Sequence, residues 1–484
     1  MWATGCKRLH PLDTENHNCG LYLTKTLGWK TPSMIEQKYI AAIGRQHGER
    51  QKLIFLNWLL IAACCVSLFF VAQYYPDYHI YFRSVDLFGA IVLIVAFAVV
   101  SLLFAFAGNN FGYIVGFYSY LMITGYLWLN HFSELIYNHR LAALSAAASA
   151  IFFLLPALFI SSPLRQIYTL SSFALDRLLT LILLLGLATV LLGAYYNFRL
   201  VSIEDIYTYR SGLRFPTILN YVIGITSSAL LPFAFACFVG RRDIWRAGAV
   251  LVLLLLFYPI TLSKLALFTP FWLVAMWVLS RYFSFKLSVS LSLLLPLSVG
   301  ILLVILFQLE ILPYGATIPY FGLVNFRMVA VPSLAMDYYN NFFFSHPVTY
   351  FCQIRLLNPL VSCPYQDQLA NVIYNAFGIG GQFNASLFAT EGIASVGAFF
   401  APVTALAAGL VIAIGNRLSA GLQPQFILIS GAVLAQALLN VPLTTVLLTH
   451  GAGMLFVLWY VTPRDAAFGL TANTLPASKL SQSA

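Results

Sequence analysis

The side chains able to do chemistry here are first of all cations. Arg199, Arg210, Arg214, Lys264, Arg327 and Arg355 stand in or beside long apolar runs. Lys264 is the sharpest, because ITLSKLALFTPFW leaves it alone between two of them. An ammonium so placed must snorkel to an interface or face an anion in a cavity. Arg327, in GLVNFRMVAVP, is likewise framed by apolar residues. For any one of these, snorkelling is the plain explanation. As a set they point to a shared anion, since guanidinium forks grip phosphate oxygens bidentately and lysine adds a point charge.

Three residues could remove a proton from a hydroxyl: His346 in FFFSHPVTYF, Glu391 in FATEGIAS and His450 in VLLTHGAGMLF. Each titrates, or can be tuned to, in the range that general-base work needs. Each also has a structural explanation. His450 would bond a carbonyl between helices, His346 would order a loop before a proline, and Glu391 would charge a helix start. The chain lacks a P-loop, an HExxH motif, a GxSxG elbow and an Asp-x-Asp pair, so nucleotide hydrolysis and nucleotide-sugar chemistry have little support. The seven cysteines show no CxxC spacing, which argues against a zinc site, and no metal or cofactor is expected.

The elements that position these groups follow from composition. The chain has 484 residues, 60% of them hydrophobic and only 9% charged. Soluble domains run to about 45–50% apolar and about 25% charged, so this chain has too little charge to cover a water-facing surface. Both a soluble enzyme and a disordered chain are excluded. A net charge of +10 could draw nucleic acid, but the charges are thinly spread and form no basic aromatic groove, so no such partner is expected. Apolar runs predict an all-α polytopic membrane protein. Its roughly twelve spans fall at 53–73, 86–107, 111–129, 143–161, 175–194, 218–239, 245–262, 265–281, 286–308, 396–415, 424–442 and 444–461. Runs such as LLTLILLLGLATVLLGA lack the alternation of a barrel strand.

Orientation is read from lysine and arginine in short loops. The first 52 residues carry eight Lys/Arg against four Asp/Glu and are expected to form a cytoplasmic tail, with 463–484 a second one. Arg165, the GRRDIWR turn, Arg281 with Lys286, and Arg417 then mark cytoplasmic loops. The segment 195–217 falls outside yet carries Arg199, Arg210 and Arg214, so topology did not put them there. The long connection 309–395 also falls outside. Its aromatic content predicts short helices across the outer mouth of the bundle. Cys352 and Cys363 within it are disulfide candidates if the compartment is oxidising. On that face the natural membrane anion carrying a transferable group is a polyprenyl diphosphate, whose departure cations can stabilise without a metal.

Four stretches carry a family likeness. IEDIYTYRSGLRFPTILNY enters a span with Arg210 at a basic position, and ITLSKLALFTPFWLVAMW makes a short basic turn with Lys264. NFRMVAVPSLAMDYYNNFFFSHPVTYF has Arg327 before a proline and an aromatic cluster. FNASLFATEGIASVGAFFAPV passes Asn384, Ala385, Glu391, Gly392 and Gly397 into a helix. Over about 198–462 the arrangement resembles the O-antigen polymerase (Wzy-like) family and, more distantly, the O-antigen ligases. The family often has Asp where Glu391 stands.

The resemblance implies a metal-independent glycosyltransferase of a bacterial inner membrane that joins undecaprenyl-diphosphate-linked repeat units and releases undecaprenyl diphosphate. Arg210, Lys264 and Arg327 would bind the diphosphate, with Arg214 and Arg355 as weaker candidates. His346, His450 or Glu391 would activate the acceptor hydroxyl, and Tyr338, Tyr339 and Asn384 would contact sugars. Membrane lipids, polysaccharide export proteins and chain-length-control proteins are the implied partners. The competing readings are a ligase with a different acceptor, a flippase or transporter, and a non-catalytic scaffold.

Overall fold

A computed structural model describes residues 34–464 apart from 203, 204, 207, 208, 210, 211, 355, 356, 358 and 379–382, with side chains from 48 onward, Ser386 excepted. Nine helices come first: α1 (Met34–Tyr74), α2 (Ser84–Phe106), α3 (Phe111–Leu129), α4 (His139–Phe159), α5 (Ser172–Tyr196), α6 (Thr217–Gly240), α7 (Ile244–Thr261), α8 (Lys264–Tyr282) and α9 (Phe285–Gln308). Then come α10 (Tyr314–Ser345), α11 (Leu369–Phe377), α12 (Leu387–Ser419), α13 (Pro424–Ala437), α14 (Leu443–Leu448) and α15 (Ala452–Val461). The chain through Leu53 is one unit and the chain from Ile54 another; the contacts below are internal to the second.

Polar residues set the starts of several helices. Asn110, Asn138, Ser171 and Asp243 each accept a hydrogen bond from the backbone N–H three residues on, at 2.8, 3.0, 3.2 and 3.2 Å, and so open α3, α4, α5 and α7. Among the described residues, ten helices are long and apolar enough to cross a membrane. The chain is an all-helical, multi-pass membrane protein.

The spans differ from the sequence reading in three places. α3 forms as expected, but every residue from Phe111 to Leu129 is buried. Its tyrosines and glycines keep it out of the ten, which suits a central helix touching other helices rather than lipid. The expected spans 424–442 and 444–461 are instead three short helices, α13, α14 and α15. The connection 309–395, expected to hold only short helices, contains the 32-residue α10. Pro319, Asn325, Arg327, Pro332 and Asp337 interrupt its apolar run and hid it from a hydropathy reading.

Contacts sort the helix ends into two sets. At one end, Asp176 pairs with Arg241 and Arg246 at 3.2 and 3.0 Å. Lys286 donates to the carbonyls of Phe104 and Ala105, both at 3.2 Å, and Arg417 donates to that of Ser162 at 3.2 Å. This is the basic end. At the other end, Ile80 bridges Ser133, Asn197 donates to Ile260 at 2.8 Å, and the Tyr74 and Phe307 rings lie 6.1 Å apart.

α10 begins and ends at that second end. Tyr314 meets Phe307 at 6.0 Å, and Asn341 donates to the Ile136 carbonyl at 3.0 Å. Between them Asn325 reaches Leu297 in the middle of α9 at 2.9 Å, and Ser333 reaches the Met122 carbonyl at 2.9 Å. α10 therefore dips into the bundle and returns without crossing it. A second re-entrant piece precedes Gly397, where φ of 77° and ψ of 164° reverse the chain in a conformation that suits glycine. The Phe388 ring reaches 5.7 Å from Phe153, past the middle of α4, while Ser145 near the α4 start meets the carbonyl of Ala398.

Candidate functional site

The described candidate residues belong to segments gathered at or below the end opposite the basic one, and all but His346, Cys352 and Cys363 fall in three groups. The first is a corner where Asn197, Arg199, Val201, Ile206 and Leu213 meet the α7–α8 turn and the residues beside it. Asn197 holds the Pro259 and Ile260 carbonyls at 3.1 and 2.8 Å, and the Tyr258 hydroxyl donates to Val201. A small core of Ile206, Tyr258 and Leu262, with Leu213 and Leu267 against it, pins the corner. Arg199 and Arg214 are exposed on this corner, and Lys264 is half-buried at the first residue of α8. The Arg199 guanidinium sits 5.8 Å from the Tyr209 ring. Arg210 and Arg355 lie outside the described residues.

The second group is a platform of aromatic rings. Tyr75 stacks on Phe326 at 4.4 Å, and Tyr78 lies 4.9 Å from Phe326 and 5.8 Å from Phe383. Tyr338 continues it, 5.4 Å from Phe383 and 4.8 Å from Phe377, with its hydroxyl on the Tyr78 carbonyl at 3.0 Å. Arg327, exposed, and half-buried Asn384 adjoin two of these rings in sequence. The Asn384 side-chain oxygen is enclosed, with no hydrogen-bond partner among the described residues. Burial, then Tyr314 and Tyr78, pushes the Tyr75 phenol up to about 12, so its hydroxyl stays neutral.

The third group surrounds Glu391 on the re-entrant piece. One carboxylate oxygen accepts from the Leu443 N–H at 2.6 Å and the other from the Thr390 hydroxyl at 2.9 Å. At the far end of α14, the His450 N–H reaches the Thr445 carbonyl at 3.2 Å. The His450 Nδ1 is enclosed without a hydrogen-bond partner among the described residues, as is the hydroxyl of fully buried Tyr339. The re-entrant loop is close-packed: a Cβ on Gly392 would lie 3.1 Å from the Ala401 methyl.

No protein-family model, curated protein or solved structure matches this chain. The site's own geometry is what remains.

His346 stands apart from this third group. It is exposed, its ring stacked on Phe342 at 4.0 Å and its Nδ1 2.9 Å from the Phe342 carbonyl. That is the geometry of a helix-end histidine before a proline. Cys352 and Cys363 are joined in a disulfide with Cα atoms 5.2 Å apart. The segment it braces is tied to the re-entrant piece, because Thr349 and Tyr350 donate backbone hydrogen bonds to Ala394 and Ser395 at 2.8 and 3.0 Å.

One buried acid escaped the sequence reading. Asp337, on α10 and wholly buried, accepts from Ser133 at 2.7 Å and from Tyr137. Behind Tyr137 stands Asn130, whose side-chain oxygen lies 2.9 Å from the Tyr137 hydroxyl oxygen and 2.9 Å from His139 Nδ1. Asn340 joins through the Tyr126 hydroxyl at 3.1 Å. Burial, then the Asp337 charge, pushes the Tyr137 phenol well above its usual value, so it stays a donor. The signal was present: an acid inside an apolar stretch marks a paired or functional group, once the stretch is read as a helix within the bundle.

Proposed function

We propose that this chain is a metal-independent glycosyltransferase of a bacterial inner membrane that polymerises undecaprenyl-diphosphate-linked repeat units on the periplasmic side. The observation that carries the reading is a coincidence at one end of the bundle. The cations Arg199, Arg214, Lys264 and Arg327, a platform of aromatic rings, Glu391 and His450 all belong to segments gathered there. Rings offer apolar faces to sugars while a few polar groups fix orientation.

In the proposed transfer the acceptor hydroxyl forms a bond to the anomeric carbon of the donor as the bond to the diphosphate oxygen breaks. The negative charge that develops on the leaving diphosphate is stabilised by Lys264 and the arginines, and undecaprenyl diphosphate departs with it. The hydroxyl proton passes to a base. Of the three candidates His450 is favoured, because its Nδ1 is unengaged while both Glu391 oxygens and the His346 Nδ1 already hold partners. Glu391 then positions α14, and so His450. Asn384 lines the sugar side; Tyr338 and Tyr339, expected there too, are wholly buried and can only support it from behind. Export and chain-length-control proteins would be the partners of such an enzyme.

A second reading, a transporter or flippase for the same lipid, is favoured by the interrupted helices. The reversal at Gly397 and the short α13, α14 and α15 place helix ends inside the bundle, as carriers do around their substrates. Incubation of purified protein with lipid-linked repeat units separates the readings. A ladder of products is expected; single transfer to a different lipid acceptor would assign a ligase. Intact substrate moved across a vesicle, with no new glycosidic bond, would overturn glycosyl transfer.

A further inference from the structure

The turn between α6 and α7, at the basic end, carries a strain that closing the helix does not require. The Asp243 N–H donates to the Phe238 carbonyl at 2.9 Å and the Arg242 N–H to the Val239 carbonyl at 3.1 Å, the paired bonds that finish a helix C-terminus. They set the residue beyond the cap left-handed, a position glycine usually takes because a Cβ is strained there. Here it is Arg242, with φ of 60°. Its side chain is exposed and has no hydrogen-bond or ion-pair partner among the described residues. Two further arginines flank the turn as a pair. One Asp176 oxygen receives Arg241 at 3.2 Å and Arg246 at 3.0 Å, and Asp243 takes Arg246 at 3.3 Å. A guanidinium carries several N–H donors, so most of theirs are left for another acceptor. Just beyond the turn, Trp245 is 92% exposed. Further along, Leu181 and Val252 are exposed on α5 and α7, so the helices that carry this corner face hydrocarbon.

We infer that this corner binds the headgroup of an anionic phospholipid, its phosphate held by the Arg241–Arg246 pair with Arg242 on the same turn, and its glycerol end against Trp245. Orientation in the membrane asks only that arginine stand somewhere in a short turn. It does not ask for arginine at the left-handed position, where glycine would make the turn more stable. What the strained residue supplies is another guanidinium beside a pair already held together by Asp176, and guanidinium forks suit phosphate oxygens. Arg241, Arg242 and Arg246 outnumber Asp176 and Asp243, so the corner keeps a surplus of positive charge. That surplus repels the ammonium of a zwitterionic lipid and draws an anionic one. The exposed indole selects a lipid over free phosphate, because tryptophan seats at headgroup depth with its ring in the apolar layer. The inference goes beyond glycosyl transfer and concerns the opposite end of the bundle.

The test uses delipidated full-length protein in detergent, titrated with phosphatidylglycerol or phosphatidylethanolamine of the same acyl chains, with bound lipid counted by native mass spectrometry. The first phosphatidylglycerol is expected to bind about tenfold more tightly than phosphatidylethanolamine, the effect of one charge-assisted hydrogen bond. Arg242→Gly relieves the left-handed turn, so its melting temperature should equal or exceed that of the wild type while the preference disappears. Arg242→Asn, which also tolerates the left-handed region, takes its place if the glycine variant fails to fold. Arg242→Lys keeps the charge and should keep part of the preference, and Trp245→Ala should weaken binding of both lipids. Arg417→Gln removes one charge from the same end, where Arg417 is already bonded to the Ser162 carbonyl, and should change nothing. Equal affinity for the two lipids would overturn the inference, as would the same loss in Arg417→Gln as in Arg242→Gly. An Arg242→Gly protein that melts lower and keeps its preference would make Arg242 a structural residue. Displacement of the lipid by millimolar inorganic phosphate would assign a free-anion site instead.

Discussion

The Glu391 carboxylate lies 2.6 Å from the backbone N–H of Leu443, joining the re-entrant piece before Gly397 to the first residue of α14. A side-chain oxygen at a helix start satisfies a backbone donor that the helix itself leaves unpaired. Through α14 the same contact sets where His450 stands. Glu391→Gln keeps an acceptor oxygen in place, whereas Glu391→Ala removes it and should cost about 1 kcal/mol as a lost cap. If Glu391 positions and His450 takes the proton, the glutamine variant keeps most ladder-forming activity and the pH dependence of the wild type. His450→Gln should then lose about 10²–10⁴-fold, the usual contribution of a general base. Initial rates of ladder formation across pH check both, and the opposite ranking would move the base to Glu391.

Asp337 joins α10 to the turn between α3 and α4 through Ser133 and Tyr137. Removing the carboxylate leaves the buried Ser133 hydroxyl without its acceptor, at about 1–3 kcal/mol for a group left unsatisfied, while Tyr137 can turn to Asn130. Asp337→Ala should therefore lower the melting temperature of detergent-solubilised protein clearly, and Asp337→Asn less so. The neighbouring Tyr338 belongs to the ring platform, so both should also weaken binding of the glycan. A melting temperature unchanged in Asp337→Ala would show that the network carries no net stability.

Lys264 opens α8, where the helix macrodipole is positive and a cation is disfavoured. The helix therefore gains nothing from its charge, and a role toward an anion explains it better. Lys264→Ala should still insert in the membrane yet lose ladder formation, with Lys264→Arg restoring part of it. Wild-type ladders from the alanine variant would remove Lys264 from the site.

The Cys352–Cys363 disulfide closes a sequence separation of 11 residues, a loop length at which such a bond contributes about 3 kcal/mol by the chain-entropy account. The hydrogen bonds from Thr349 and Tyr350 to Ala394 and Ser395 carry that restraint to the re-entrant piece. Paired Cys→Ser substitution should expose 346–368 to limited proteolysis without melting the bundle. Reductant should do the same to the wild type and nothing more to the variant. Equal protease resistance with and without the bridge would show that the backbone contacts suffice.

The membrane-embedded helical class, most span positions and the gathering of Arg241, Arg246, Lys286 and Arg417 at one end of the bundle were legible in the residues alone. Hydrophobic length and charge placement are local quantities, and a bilayer reads them locally. α10 was not legible, since Pro319, Asn325 and Asp337 make its run look broken until partners such as Leu297 and Ser133 satisfy its polar groups. The joining of Glu391 to Leu443 and of Asp337 to Tyr137 was likewise decided only by tertiary structure. A buried polar group must find its partner wherever the fold brings one, and for these two the partner stands 52 and 200 residues away in sequence.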